Sequence, residues 1–446
     1  MVLLSQAKTK FLIRSNDMIF AFTAFLFFLV IGTPIVFVLG IAAALTLIFV
    51  EPGIPLTIIS QRIFDSLNSF TLMAIPFFVF LGVIMDEGGI SRRIVDFAAA
   101  LLGWIVGSLL MVSVFASTAL AAISGSGSAD VAAISAIMQP ELKRRRYDID
   151  FSAALIAAAG SLAQIIPPSL MMVVVALISN LSVGALFLAG ILPGLVTAIG
   201  LLTCGYLHAR RGGEQYRETE AFTFRRLVRT FIKAVPSLGM PLIVIGGIIG
   251  GVFTPTEAAA IAVLYGLLIG IFIHRDIKLK KMPAMILRAA ALAAGVMMIV
   301  GTASIFGWLV ANANVPALLA EWIKQFTSEP WVYLLIVNVM LLLVGMFMES
   351  MAAILILVPV LMPIAINFGI DPVHFALVVV MNFAIGMVTP PYGITLFVAS
   401  AIAERNVLQV ARRMFWPWII MTTVLIIVTY IPDVGLFLPR LSGLTD

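Results

Sequence analysis

Between Phe151 and Leu207 the chain contains no Asp, Glu, Lys or Arg. Crossing the hydrocarbon of a bilayer takes roughly 20 apolar residues, so this stretch alone is long enough to cross more than once. Comparable segments occupy 18–31 and 35–50 (two spans, or one tilted helix broken at Gly32-Thr33-Pro34), 71–85, 234–252, 256–273, 288–311, 374–403 and 413–431. The long stretch itself divides into 151–179 and 184–207. With 62% hydrophobic and 11% charged residues, no water-soluble core could hide the apolar side chains. Lipid is the solvent, and in lipid each segment must satisfy its own backbone hydrogen bonds. The expected fold is an all-α polytopic membrane protein with about ten transmembrane helices.

Several function classes drop out. The single cysteine, Cys204, forms no intrachain disulfide, and His208, His274 and His374 are too scattered for a zinc cluster. There is no Ser/His pairing inside a span and no phosphate-binding Gly-Lys loop, so neither catalysis nor ATP hydrolysis is expected. The basic residues behind the net charge of +5 gather in short loops, as in cytoplasmic membrane loops, not on a nucleic-acid surface. The first apolar run, from Met18, lacks the marks of a cleavable signal peptide. The pieces 52–69 and 276–288 are polar enough to be amphipathic helices at the interface, or plain loops.

Two apolar blocks, 105–142 and 331–367, are too long for one span, and each has a polar break in its middle. The first break reads SGSGSAD: Ser124, Gly125, Ser126, Gly127, Ser128, Ala129, Asp130. Non-helical backbone at membrane depth survives only inside protein or against a water-filled cavity. The reading is a re-entrant helical hairpin with its tip at Ser124 to Ser128. Glycine allows the tight turn, and serine hydroxyls with freed carbonyls can replace the water shell of a small hard cation. The following helix aims its N-terminal N–H groups, about +0.5 charge, at an anion. Asp130 in its first turn is costly at mid-membrane unless paired. A Gly/Ser helix-packing patch is the alternative, but it needs no carboxylate. The second block breaks at GMFMESMAA, 345–353, where Glu349 is the lone acidic group and so a functional candidate; a Glu that only reaches a hydrated crevice or a neighbouring Arg is the competing account.

Double prolines mark two further breaks. In SLAQIIPPSLMMV the residue before each proline is pushed out of the helical region, so one helix stops near Gln164 and another starts after Pro167 and Pro168. NFAIGMVTPPYGITLF repeats the pattern at Pro390 and Pro391. Ser161, Gln164 and Ser169 add polar groups to the first break, and Asn382, Thr389 and Tyr392 to the second. A shift of 223 residues aligns Pro140 with Pro363, Asp148 with Asp371, Ala153 with Ala376, both double prolines, and Val175-Ala176 with Val398-Ala399. The first block is flanked by Arg92-Arg93 and Lys143-Arg144-Arg145-Arg146, a cytoplasmic signature. The flanks of the second, 312–330 and 366–374, contain only Lys324 as a basic residue. One block thus enters from inside and its relative from outside, as in inverted-topology repeats of secondary transporters. The expected division is an N-terminal extension 1–17, a first repeat 18–207 (hairpin 105–142, broken helix 151–179), a cytoplasmic connector 208–233, and a second repeat 234–446 (hairpin 331–367, broken helix 374–403). Lys8, Lys10 and Arg14 suggest a cytoplasmic start, whereas two spans before residue 51 would place it outside. GGVFTPTEAAAIAV reads as a capped helix start, with Thr254 or Thr256 before Glu257. Trp322, Trp331, Trp416 and Trp418 near segment ends fit an interfacial belt.

The runs MAIPFFVFLGVIMDEGGISRRIVDFAAALLGWIVGSL, AISGSGSADVAAI, IIPPSLMMVVVALISNLSVGALFLAGILPG, GGVFTPTEAAAIAV and IGMVTPPYGITLFV resemble, in order, the large membrane subunit of tripartite ATP-independent periplasmic (TRAP) transporters, from about residue 30 to 430. The resemblance implies a scaffold and an elevator-type transport domain in a bacterial inner membrane. It implies a small four-helix membrane subunit and a periplasmic substrate-binding protein as partners, Na+ as coupling ion with no organic cofactor, and an organic acid as cargo, such as a C4-dicarboxylate, sialic acid or another sugar or keto acid. Carried over by motif, the sodium and substrate sites fall on Ser124 to Ser128 with Asp130 and the Gln164–Ser169 break. The second set is Glu349, Ser350 and Asn382 with Gly386, Thr389, Pro390, Pro391 and Gly393. Ser126, Ser128, Glu349 and Thr389 are the implied Na+ ligands. The family usually has Asp where this chain has Glu349. A stand-alone sodium-coupled anion transporter of the same superfamily is the alternative.

Overall fold

The structure, a computed structural model, describes residues 20–445; the extension 1–17, with Lys8, Lys10 and Arg14, lies outside them. All regular structure among the described residues is helical. Six helices are long and apolar enough to cross a membrane, or up to nine if each bent pair is one span. Several expected spans fall outside that number because the chain divides them into shorter pieces, 149–164 and Pro372–Gly386 among them.

The hairpin expected at 105–142 consists of Ser108–Ser124 and Gly127–Arg144, and the one at 331–367 of Pro330–Phe347 and Ser350–Asn367. The broken helices are Ile149–Ser161 followed by Leu170–Ile178, and Pro372–Gly386 followed by Ile394–Ala403. The 223-residue shift has a structural counterpart at their starts. Asp148 Oδ1 accepts from the Phe151 N–H at 3.1 Å, and Asp371 Oδ1 accepts from the His374 N–H at 2.9 Å. Each aspartate is the N-cap that satisfies an otherwise orphaned donor.

The two repeats interlock. Ile394–Ala403, the second half of one broken helix, packs on Gly127–Arg144 and Ile149–Ser161 of the first repeat. Leu170–Ile178, its counterpart, packs on Ser350–Asn367 and Pro372–Gly386 of the second. Charge fixes the direction. Arg405 bonds both carboxylate oxygens of Asp150 at 2.5 and 2.9 Å, Arg413 lies 3.3 Å from Asp148, and Lys143 lies 3.1 Å from Glu404. The end of the second broken helix therefore sits beside the start of the first, so the two run antiparallel. That is the arrangement an inverted repeat requires.

Around this core the long helix Met282–Asn312 packs against Ile35–Phe49, Thr57–Leu67, Ala74–Glu87 and Ser350–Asn367. Thr57–Leu67, without a buried residue, makes an angle of 68° with the helix after it, as an amphipathic helix at an interface does. The piece 276–288 is different. Only a short turn, Leu279–Lys281, precedes Met282. Pro283 favours a helix start there, and residues 282–288 join the long span. The connector is also shorter than 208–233, because Val183–Arg211 and Phe224–Ile249 extend into it from both sides. Ile90–Leu102 and Pro432–Leu441 are helices beyond the expected spans. The Thr254 cap is a full capping box with Glu257, with Pro255 at the first helical position. Trp331 and Trp416 are exposed, but Trp418 turns inward and donates its indole N–H to Thr389 Oγ1 at 3.1 Å.

Candidate functional site

At the first tip, Gly125 has φ +63°, a region that glycine enters without steric cost. A Cβ there would lie 2.5 Å from the Pro168 carbonyl oxygen, so the tip rests directly on the first proline break. Gly127 is equally confined: its Cβ would meet the Gly160 carbonyl at 3.0 Å and Gln164 Nε2 at 3.4 Å. The Ser124 hydroxyl donates to Asp130 Oδ1 at 2.6 Å and accepts from the Ser126 N–H at 3.1 Å. Asp130 is 1% exposed, and its second oxygen has no hydrogen-bond partner among the described residues.

At the second tip, Glu349 precedes Ser350 and accepts the Ala352 N–H at 2.9 Å, capping the helix that starts there. This tip also rests on its own break. A Cβ on Gly386 would lie 2.9 Å from both the Cα and the carbonyl oxygen of Gly345, and the Tyr392 N–H donates to the Met346 carbonyl at 3.2 Å.

Both tips and both breaks line one cavity of about 380 Å³. Four helices begin at residues in its wall: Gly127, Leu170, Ser350 and Ile394. Each brings the positive end of its dipole to the cavity. Ser124, at the opposite end of the preceding helix, also lines it, and such an end supplies carbonyl oxygens. One chamber thus offers N–H groups for an anion and oxygens for a hard cation.

The wall includes Ser124, Gly125, Ser126, Gly127, Ser128, Gln164, Pro168, Glu349 and Ser350. The other candidates do not line it: Asp130, Pro167, Ser169, Asn382, Gly386 and Gly393 are buried elsewhere, Thr389 and Pro390 are half-buried, and Pro391 is exposed. Ser169 caps Leu170–Ile178 through Met172 N–H and donates to the Gln164 carbonyl at 2.7 Å. Thr389 donates to the Ile385 carbonyl at 2.7 Å, and the Thr395 hydroxyl closes the same break on the Met387 carbonyl at 2.8 Å. Pro167-Pro168 and Pro390-Pro391 are both cis. Asn382 faces away from the tips: it donates to Asn338 Oδ1 at 2.7 Å, and Asn338 donates to Thr429 at 3.0 Å, tying the second broken helix to its hairpin and to Phe415–Tyr430.

The wall also contains two charged residues that sequence reasoning missed, Asp86 and Arg288, 3.8 Å apart. Each stands at the end of an apolar segment, where a charge is ordinarily a headgroup neighbour. The sequence signal was their closeness to otherwise uncharged helix, which is weak.

A family model described as "Tripartite ATP-independent periplasmic transporter, DctM component" matches residues 22–434. The chain is 39% identical to the C4-dicarboxylate TRAP transporter large permease protein DctM of Pseudomonas aeruginosa, over 91% of this chain and 95% of that one. It is 41% identical to the isethionate TRAP transporter permease protein DctMQ of Oleidesulfovibrio alaskensis, over 93% of this chain, and spans 65% of that protein's length. Among solved structures, the YdaH transporter of Alcanivorax borkumensis shares the fold, with a TM-score of 0.54 at 15% identity, covering 83% of this chain and 86% of that one.

Proposed function

Since the chain belongs to the DctM component family of tripartite ATP-independent periplasmic transporters, we propose that it is the membrane-embedded transport subunit of a sodium-coupled importer of an organic acid. The acid is a C4-dicarboxylate, a sialic acid, a sulfonate such as isethionate, or another sugar or keto acid. A periplasmic binding protein delivers it, and a small four-helix membrane subunit completes the complex in the bacterial inner membrane.

One observation carries the reading: two hairpin tips and two helix breaks, from antiparallel repeats, share a single cavity. Sodium binds among the hydroxyls and freed carbonyls of the Ser124–Ser128 tip, and at Glu349 and Ser350. It holds each tip on its break and offsets the negative charge that an incoming acid adds. The acid's anionic group then lies on the four helix N-termini, and the loaded core moves past the surrounding helices in an elevator step.

The test is uptake into proteoliposomes containing the complete complex, with an imposed sodium gradient and labelled succinate, N-acetylneuraminate or isethionate. Accumulation that needs inward sodium, and the binding protein, supports the reading. Uptake indifferent to sodium overturns the coupling. Uptake by this chain alone points to a stand-alone anion transporter.

A further inference from the structure

The chamber's charges do not match its proposed cargo unless one more group takes part. Glu349 and Asp86 both line the wall and both repel an acid. The one basic side chain in the wall, among the described residues, is Arg288. It stands on Met282–Asn312, apart from the hairpins and broken helices that carry the helix N-termini. Its neighbours in the wall on the same helix are Leu292 and Val296, so its charge is the only polar feature of that side.

Its ion pair is loose. Arg288 Nη2 stands 3.8 Å from Asp86 Oδ2, beyond hydrogen-bond distance. The Arg288 side chain is 57% exposed and that of Asp86 32%. A planar guanidinium offers five donors in a fork that fits carboxylate and sulfonate oxygens. Asp86 occupies one edge without bonding it.

The geometry points to Arg288 as the anion-selecting residue of the chamber, with Asp86 as an internal competitor that the acid displaces. This rests on the organic-acid reading above and adds which residue reads the anion. The cargo's carboxylate or sulfonate sits between the guanidinium on one wall and the helix N-termini on the other. Asp86 keeps the guanidinium partly neutralised while the chamber holds no acid, and so weakens the binding of small inorganic anions.

The experiment measures binding of labelled succinate, N-acetylneuraminate and isethionate to the full chain in lipid nanodiscs at fixed sodium. The parent is compared with Arg288→Gln, Arg288→Lys and Asp86→Asn, and sodium-induced melting shifts are recorded in parallel. For the acid that binds the parent, Arg288→Gln is expected to weaken affinity at least tenfold and Arg288→Lys less. Asp86→Asn should tighten it several-fold, and the sodium-induced shift should be retained throughout. Succinate against isethionate separates a carboxylate from a sulfonate reader. Affinity in Arg288→Gln within twofold of the parent overturns the inference alone. So does Asp86→Asn weakening binding as much as Arg288→Gln, which would make the pair purely structural. A parent that retains its sodium-induced shift and binds none of the acids overturns the organic-acid reading itself.

Discussion

The Ser124 hydroxyl reaches across the first hairpin's turn to Asp130 Oδ1, 2.6 Å away, and among the described residues it is the only hydrogen-bond partner of a side chain that is 1% exposed. Removing it leaves a buried acceptor bare, which costs about 1–3 kcal/mol. Ser124→Ala is therefore expected to lower the melting temperature in nanodiscs. Asp130→Asn keeps an oxygen for the hydroxyl and should cost less. Equal melting of Ser124→Ala and the parent would contradict this account of the tip.

The contact between Gly345 and Gly386 is backbone against backbone. A methyl on Gly386 cannot be absorbed by a flexible side chain, so the hairpin or the broken helix must shift. Overpacking of this kind costs about 1–3 kcal/mol. Gly386→Ala should be less stable and should slow uptake. Gly307→Ala, with nothing within 4 Å of the added Cβ, should be neutral or gain up to about 1 kcal/mol. Similar behaviour of the two variants would remove the close approach as an explanation.

Arg405 and Asp150 lie on the charged face, outside the apolar spans. Hydrogen bonds from the guanidinium hold the Asp150 carboxyl below the usual carboxylate range, against an opposing effect of partial burial. A depressed folded-state pKa stabilises above the unfolded value, and the contribution is lost as pH falls through the folded one. Arg405→Gln should therefore melt below the parent at pH 7, and the difference should begin to shrink below about pH 4 and close once pH is below the depressed folded-state value. A difference that stays constant on acidification would show that the pair contributes no pH-linked stability.

Glu349 both caps a helix and faces the chamber. Glu349→Ala loses the cap, worth about 0.5–2 kcal/mol, together with the charge. Glu349→Asp retains both. The expected result is a sodium-induced melting shift that survives in Glu349→Asp and is much reduced in Glu349→Ala. A shift of parental size in Glu349→Ala would remove this carboxylate from the ion site.

The hairpin tips and proline breaks were legible because polar residues, glycine and paired prolines are expensive in apolar helix, and here they recur at one spacing. The same spacing aligned Asp148 with Asp371, and the structure adds that both are helix caps. Asp86 and Arg288 were not legible. A charge at a span end looks the same whether it faces headgroups or a chamber, and only tertiary packing separates the two. The Asn382–Asn338 bond was not legible either: a polar side chain beside a break can face either the cavity or a neighbouring helix, and Asn338 lies far away in sequence. Residues 224–233 read as connector because their arginines mask the helical continuation into an apolar span.

The most direct test of the central claim is a cross-link between the tips. In a chain whose single cysteine, Cys204, is replaced by alanine, Ser126→Cys and Glu349→Cys are combined and treated in nanodiscs with a short bifunctional thiol reagent, and the bridged peptides are identified by mass. The account predicts a bridge within one chain joining the two hairpins. Both cysteines reacting singly with no bridge, or a bridge formed only between chains, would contradict it.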